Sequence, residues 1–269
     1  KQIKKKDRYK TLKILGIIFI CFSMMIVTLL YGPWHGFRDF WITTAMTTLN
    51  HQYLAKWFYS EDTINKVLAE NRVIPPDEDT KTDLIEINDT KSSNIVYKDE
   101  YDKQVLEHKE GDIYKYFKVE GYNFDAYMAV IYDPSRIHVV TSKYLGTKGE
   151  YLVDMAMEND AVVAINGGGF IDPDGNGNGG NAVGIIIKDG KILQGSSGSQ
   201  GVIGFTNDNK LFLGYVSATE AINKGVRDAL EFGPFLIVNG KSSNILGNGG
   251  YGIHPRSAIG QRQDGIVLF

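Results

Sequence analysis

Residues 202–215 read Val-Ile-Gly-Phe-Thr-Asn-Asp-Asn-Lys-Leu-Phe-Leu-Gly-Tyr, two short apolar runs around the polar turn Asn207-Asp208-Asn209. Asn and Asp tolerate the left-handed backbone that a tight turn needs, so the spacing predicts a β-hairpin, Val202 to Phe205 against Leu211 to Tyr215. The pattern repeats outward. Ala182 to Ile187 meets Lys191 to Leu193 across Asp189-Gly190, and further strands are expected at Phe235 to Val238, Ser257 to Gly260 and Ile266 to Phe269. Upstream, Ala126, Met128 and Val130 alternate with Tyr127, Ala129 and Ile131, and the Asp133-Pro134 turn leads to a partner strand at Ile137 to Thr141. Ala161 to Ile165 is apolar throughout, which predicts a buried strand. Helical spacing over Tyr151 to Asn159 and Ala218 to Leu230 predicts two packed helices. Runs of hairpins with two interspersed helices give an α+β domain on a largely antiparallel mixed sheet. Helices and strands do not alternate as a doubly wound fold requires.

The other end of the chain sets a different environment. Ile14 to Leu30 is seventeen residues without a charge, and 12–31 contains only Lys13. Twenty helical residues reach roughly the 30 Å of a bilayer's hydrocarbon. A cleaved signal peptide has a shorter apolar run and a small-residue cleavage site, whereas Tyr31-Gly32-Pro33-Trp34 follows here, so the run reads as an uncleaved anchor. Residues 1–13 hold seven Lys/Arg against one Asp, a local +6 that leaves −9 for the rest of a chain whose total is −3. The positive-inside rule then keeps the N-terminus in the cytoplasm and places the main domain outside, as a single-pass cell-membrane protein. The acidic remainder speaks against a nucleic-acid partner. Cys21 is the only cysteine and lies in the apolar run, so the domain beyond it has neither disulfide nor thiol chemistry. The first residue is Lys rather than Met, which suggests a fragment.

The expected organisation is a basic tail at 1–11, an anchor at 12–31, a juxtamembrane helical region at 32–71, a polar linker at 72–112 and the α+β domain at 113–269. Phe37, Phe40, Trp41, Ala45, Met46, Leu49, Tyr53 and Trp57 recur at helical spacing. That helix either rests Trp34, Trp41 and Trp57 in the lipid headgroup zone or packs on its own domain. Ser60 caps a second helix from Glu61 to Asn71, and Pro75 and Pro76 end it. From Asp77 to about Asp112 the chain is too polar to bury much surface.

Chemistry-bearing residues gather in the loops. Asn166-Gly167-Gly168-Gly169-Phe170 follows the expected strand, and three glycines bring backbone N–H groups close to an anion or a sugar. Asp172-Pro173-Asp174-Gly175-Asn176-Gly177-Asn178 alternates oxygen side chains as calcium loops do, but Val183 stands where an EF-hand requires an acid. An irregular site for a divalent cation such as calcium, or a plain solvated turn, are the readings left. No metal motif of paired Cys and His occurs. His254-Pro255-Arg256-Ser257-Ala258-Ile259-Gly260 sets a guanidinium fork and an imidazole near a strand, suited to phosphate or carboxylate, or to pairing with a nearby Asp.

Taken in order, NGGGF at 166–170, GPFLIVNGK at 233–241 and HPRSAIG at 254–260 behind an anchor resemble the phosphodiester glycosidase domain. This is the family of the enzyme that uncovers mannose 6-phosphate, often labelled exopolysaccharide biosynthesis protein in bacteria. The resemblance runs over Tyr114 to Phe269 and implies a mixed α+β fold and cleavage of a sugar from a phosphodiester. It implies a sugar phosphodiester or polysaccharide as substrate, with Asn166, Gly167, Gly168, Phe170, Gly233 and Arg256 binding it. The catalytic candidates are Asp172, Asp174 and His254, with Glu150, Asp154 and Glu158 as alternative carboxylates that also suit a solvated helix face. The family's later Asp-Gly-Arg and Asp-Gly-Gly motifs do not occur here, which implies a C-terminally incomplete domain. The competing expectation is a non-catalytic polysaccharide-binding or envelope-assembly module.

Overall fold

The computed structural model describes residues 2–48, 51–87, 96–172, 177–195 and 200–269, and they divide into two compact units. One holds residues 1–73 with 245–254, the other residues 74–244 with 255–269.

The first unit is helical. Helix α1 (Gln2–Tyr31) contains one stretch, Tyr9–Tyr31, long and apolar enough to cross a membrane, with mean hydropathy 2.6. Helix α2 (His35–Met46) follows, then the single turn α3 (Tyr53–Lys56) and α4 (Glu61–Glu70). The periodic stretch after the apolar helix is therefore two helices. Thr47 and Thr48 close α2 by donating their hydroxyls to the carbonyls of Thr43 and Ala45 (2.9 and 2.8 Å), and Leu49 lies outside the described residues. As expected, Ser60 caps α4 by accepting from Thr63 N–H. Leu30, Ile42, Ala45, Ala55, Tyr59, Ile64 and Val67 form this unit's core, with Trp41 packed against it. The far segment 245–254 completes it. Asn248 N–H donates to Asn71 Oδ1 (3.0 Å) and its side-chain amide to Thr43 Oγ1 (3.0 Å). A Cβ at Gly250 would stand 2.1 Å from the Asn71 carbonyl oxygen, and Gly250 has φ +77°, so only glycine fits.

The second unit is layered. Two-residue strands β1 (Val73–Ile74) and β11 (Asn244–Ile245) sit where the chain changes unit. Helix α5 (Glu100–Leu106) lies within the polar 72–112 stretch, capped by Asp99. Strands β2 (Tyr114–Glu120), β3 (Asp125–Ile131), β12 (Gly260–Gln261) and β13 (Val267–Leu268) make an antiparallel sheet in the order β12-β13-β3-β2. Strands β4 (Ile186–Lys188), β5 (Lys191–Gln194), β6 (Gln200–Thr206), β7 (Leu211–Val216) and β8 (Val226–Glu231) make another, in the order β5-β4-β8-β6-β7. Alternation along each strand divides its residues between two cores. Ala129, Ile131 and Val267 from one sheet meet Phe205 and Leu211 from the other, while the opposite faces pack on α5 through Val105 and on α7 (Ala218–Asn223) through Ala218 and Ala221. A hairpin of β9 (Ile237–Val238) and β10 (Lys241–Ser242) stands apart.

The α+β class and antiparallel pairing agree with the sequence, but several expected elements differ, and of the strand expected at Ser257 to Gly260 only Gly260 pairs. Ile137 to Thr141 is not a strand, because β3 pairs instead with β2 and β13. Ala161 to Ile165 is neither strand nor buried: Val162 is 65% exposed and only Val163 packs on the inter-sheet core. Helix α6 (Leu152–Glu158) buries no residue. Finally, the helix expected over Ala218 to Leu230 stops at Asn223. Gly225, at φ +79°, ends it, and Val226–Glu231 becomes the middle strand of the five.

The central strand needs close approach. A Cβ on Gly204 of β6 would lie 2.2 Å from the Asp228 carbonyl oxygen of β8. Gly204→Ala is expected to cost about 1–3 kcal/mol by overpacking, read as a lower denaturant midpoint of the full chain. Asp102 of α5 accepts from Lys98 N–H (3.0 Å) and from Arg262 (2.8 Å), and these two bonds hold its carboxyl below the usual carboxylate range. Its folded pKa lies below the unfolded one, so its contribution is present above the unfolded value near 4 and disappears as pH falls through the folded value. Asp102→Asn should therefore flatten the acid limb of a stability-versus-pH curve and leave its alkaline side unchanged.

Candidate active site

The glycine-rich loop is seated on the C-terminal end of β8. A Cβ at Gly167 would meet Leu230 Cδ1 at 2.4 Å, and one at Gly168 would come within 3.9 Å of the Glu231 carbonyl oxygen. Leu230 would have to give way to a side chain at Gly167, whereas Gly168 meets it only at ordinary contact distance and Gly169 has open space, and the 166–169 backbone is exposed. Gly169 and Ile171 bond to Val183 and Asn181 (2.9 and 2.7 Å), and Phe170 bridges Ala182. Gln194 secures that second loop by donating to the carbonyls of Ala182 and Gly184, both at 2.8 Å.

The end of β8 brings a third segment. Phe232 N–H donates to the Gly201 carbonyl (2.9 Å), and Phe235 lies against Tyr215 with ring centroids 5.1 Å apart. Gly233 starts this segment, with open space around it. Segments 166–170, 182–184 and 231–235 thus border one end of the five-stranded sheet, with the glycine-rich loop against the two residues that end β8, just before the second motif.

Similarity to known proteins falls on that same stretch. The phosphodiester glycosidase profile (NAGPA) matches residues 159–269, which contain all three segments and the whole five-stranded sheet. Residues 159–269 are thus similar to the phosphodiester glycosidase family. Two proteins are similar to the chain. The SPbeta prophage-derived protein YomE of Bacillus subtilis (strain 168) is 32% identical over 139 residues, 48% of this chain and 21% of YomE, so the chain spans about a fifth of that relative. The zebrafish N-acetylglucosamine-1-phosphodiester alpha-N-acetylglucosaminidase catalytic domain, auto-inhibited by its pro-peptide, is 20% identical with a TM-score of 0.45, covering 60% of this chain and 61% of that one.

The individual candidates fare differently. Asn166 and Phe170 are exposed at the loop. Asp172 Oδ1 accepts from Gly177 N–H and so closes its own turn, and Asp174 lies outside the described residues. Arg256 is exposed and donates to the Pro255 carbonyl (3.2 Å). His254 is grouped with the helical unit, where its Nε2 lies 3.1 Å from Thr47 Oγ1. Among the alternative carboxylates, Glu150 and Glu158 both bind the Lys143 ammonium, which Glu158 and then Glu150 raise above its ordinary range. Burial pushes the Glu150 carboxyl up, but the Lys143 backbone N–H and ammonium outweigh it and bring it below the ordinary value.

Glu231 was not legible as a site residue from the sequence. Its carboxylate fills the space beside Gly184, where a Cβ would lie 2.0 Å from Oε2, and no hydrogen bond to the carboxylate is made among the described residues. The available signal was the stretch Glu231-Phe232-Gly233-Pro234, which puts an acid next to the second motif.

A separate cluster at the other end of β8 has metal-like composition but a structural occupation. His138, Asp189 and Asp228 bring ligand atoms within 4.8 Å of one another. The Arg227 guanidinium already supplies the positive charge there. Nη1 donates to Asp228 Oδ2 (2.5 Å) and to His138 Nδ1 (3.0 Å), and Nη2 donates to the Ile137 carbonyl (2.9 Å) and Asn209 Oδ1 (3.2 Å). With Nδ1 accepting, the imidazole proton sits on Nε2. Arg227→Met strands a buried carboxylate and should lower stability by about 3–5 kcal/mol, whereas Arg227→Met with Asp228→Asn should recover part of that loss in the same thermal-unfolding measurement.

Proposed function

We propose that the chain is a membrane-anchored glycosidase that hydrolyses the bond between a sugar and a phosphodiester outside the cell, in cell-envelope or exopolysaccharide metabolism. The observation that carries this is the family match over 159–269 together with the convergence of the glycine-rich loop, the 182–184 loop and the 231–235 segment at one end of the five-stranded sheet. Tyr9–Tyr31 serves as an uncleaved single-pass anchor with the basic tail in the cytoplasm. Residues 113–269 are the hydrolase domain, and the substrate is a sugar phosphodiester.

The leaving group in such a reaction is a phosphate monoester, already stable as an anion, so little protonation is needed to expel it. What requires stabilisation is the oxocarbenium-like sugar and the charge gathering on phosphate. The exposed N–H groups of 167–169 and the Arg256 guanidinium bind the phosphate oxygens, while Asn166 orients a sugar hydroxyl and Phe170 supports the ring. Of the carboxylates, Asp172 is engaged by Gly177 N–H, which favours Glu231 as the base. Water adds to the anomeric carbon as the bond from that carbon to the phosphate oxygen breaks, and the water's proton passes to Glu231.

The test is release of reducing sugar from a panel of sugar 1-phosphodiesters by the full chain in detergent. Glu231→Gln is expected to lower kcat by about 10²-fold or more with bound-sugar affinity retained, and Arg256→Ala to raise KM for the diester. Binding of polysaccharide without any sugar release would instead identify a non-catalytic module.

A further inference from the structure

The helical unit leaves large aromatic side chains in solvent close to where α1 ends. Trp57 is 73% exposed and Trp34 58%, with the Tyr53 ring tilted against Trp57 at 4.7 Å between centroids. Trp41 is different: it packs on the unit's core and donates its indole N–H to the Leu54 carbonyl (3.0 Å). Two reciprocal hydrogen bonds fix the exposed pair to the end of α1. Tyr31 donates its hydroxyl to the Phe58 carbonyl and Tyr59 donates to the Leu30 carbonyl, both at 2.8 Å, and the Tyr31 and Tyr59 rings lie 5.8 Å apart. Trp57 precedes Phe58 directly and Trp34 follows Tyr31 by three residues, so neither can drift far from the last turn of the apolar helix.

We infer that Trp34, Tyr53, Trp57 and Phe58 form a collar that docks on the lipid headgroup zone of the membrane crossed by α1. The inference rests on the reading of Tyr9–Tyr31 as a span. An indole has a broad apolar body and one N–H, and it is favoured where hydrocarbon gives way to polar headgroups, whereas 73% exposure to water is costly for it. The occupant is lipid rather than protein because the collar continues the apolar surface of α1: the same clamp that ends the helix carries the rings. A span alone would leave the unit free to tilt and turn about one tether. The collar adds a second contact, so the helical unit lies against the bilayer surface.

The full chain is reconstituted in phosphatidylcholine vesicles whose acyl chains are brominated near the headgroup end, and tryptophan emission is compared with unbrominated vesicles. Wild-type emission should fall by about twofold, and the Trp34→Phe, Trp57→Phe double variant, which keeps only Trp41, should lose most of that quenching. Alkaline carbonate extraction of the same vesicles reports the span separately. A chain that resists extraction while wild type and double variant are quenched equally overturns the collar and leaves the anchor standing. A chain that is stripped by carbonate and unquenched overturns the span and the collar with it.

Discussion

Asp228 is carried to 1% exposure by the central strand of the five-stranded sheet, and a carboxylate there is tolerable only because Arg227 stands beside it. Burying either charge alone would cost several kcal/mol, so the pair must form together with the strand. It also gathers what surrounds that end of the sheet. Asp189 N–H in the β4–β5 turn donates to Asp228 (3.1 Å), while Arg227 reaches the 137–138 stretch and the Asn209 turn. Arg227 sits where the register of β6 against β8 shifts between Phe205 and Thr206. The bulge is what lets neighbouring residues 227 and 228 both turn toward the same set of loops. With this end of β8 fixed, the other end, Leu230 and Glu231, becomes a rigid floor for the glycine-rich loop.

Much of this arrangement could be read from residue order, and the failures have definite causes. Both long hairpins were legible because Asp189-Gly190 and Asn207 to Asn209 are turn sequences. Asp189, Gly190 and Asn209 do adopt positive φ. The α4 cap was legible because Ser60 before an acidic first turn is a local signal. Strand β8 was hidden because Ala218, Ala221, Ile222, Val226, Ala229 and Leu230 fit a helical period, and Gly225 alone marks the change. Ala161 to Ile165 misled in the opposite direction. Its β-branched composition suits a strand, but among the described residues nothing pairs with it, and pairing is a non-local property.

The site was partly legible. Three consecutive glycines after an apolar run identify a loop that must approach something closely, and that something includes Leu230 and the Glu231 backbone. Carboxylate assignment was harder, since an Asp in a Gly- and Asn-rich loop has the same composition whether it binds a ligand or closes a turn. The hydrogen bond from Gly177 to Asp172 distinguishes the two. Glu231 gave no pattern of its own, because its position depends on Gly184 yielding room from the 182–184 loop.

The passage of Ile245–His254 into the helical unit means that the polypeptide crosses between units three times, after Val73, after Asn244 and after His254. A cut between residues 73 and 74 would therefore divide the helical unit itself, because 245–254 belongs to the downstream piece. After such a nick the 245–254 segment would still be held to the helices by the hydrogen bonds from Asn248 to Asn71 and Thr43. The two units are in this sense interleaved along the sequence.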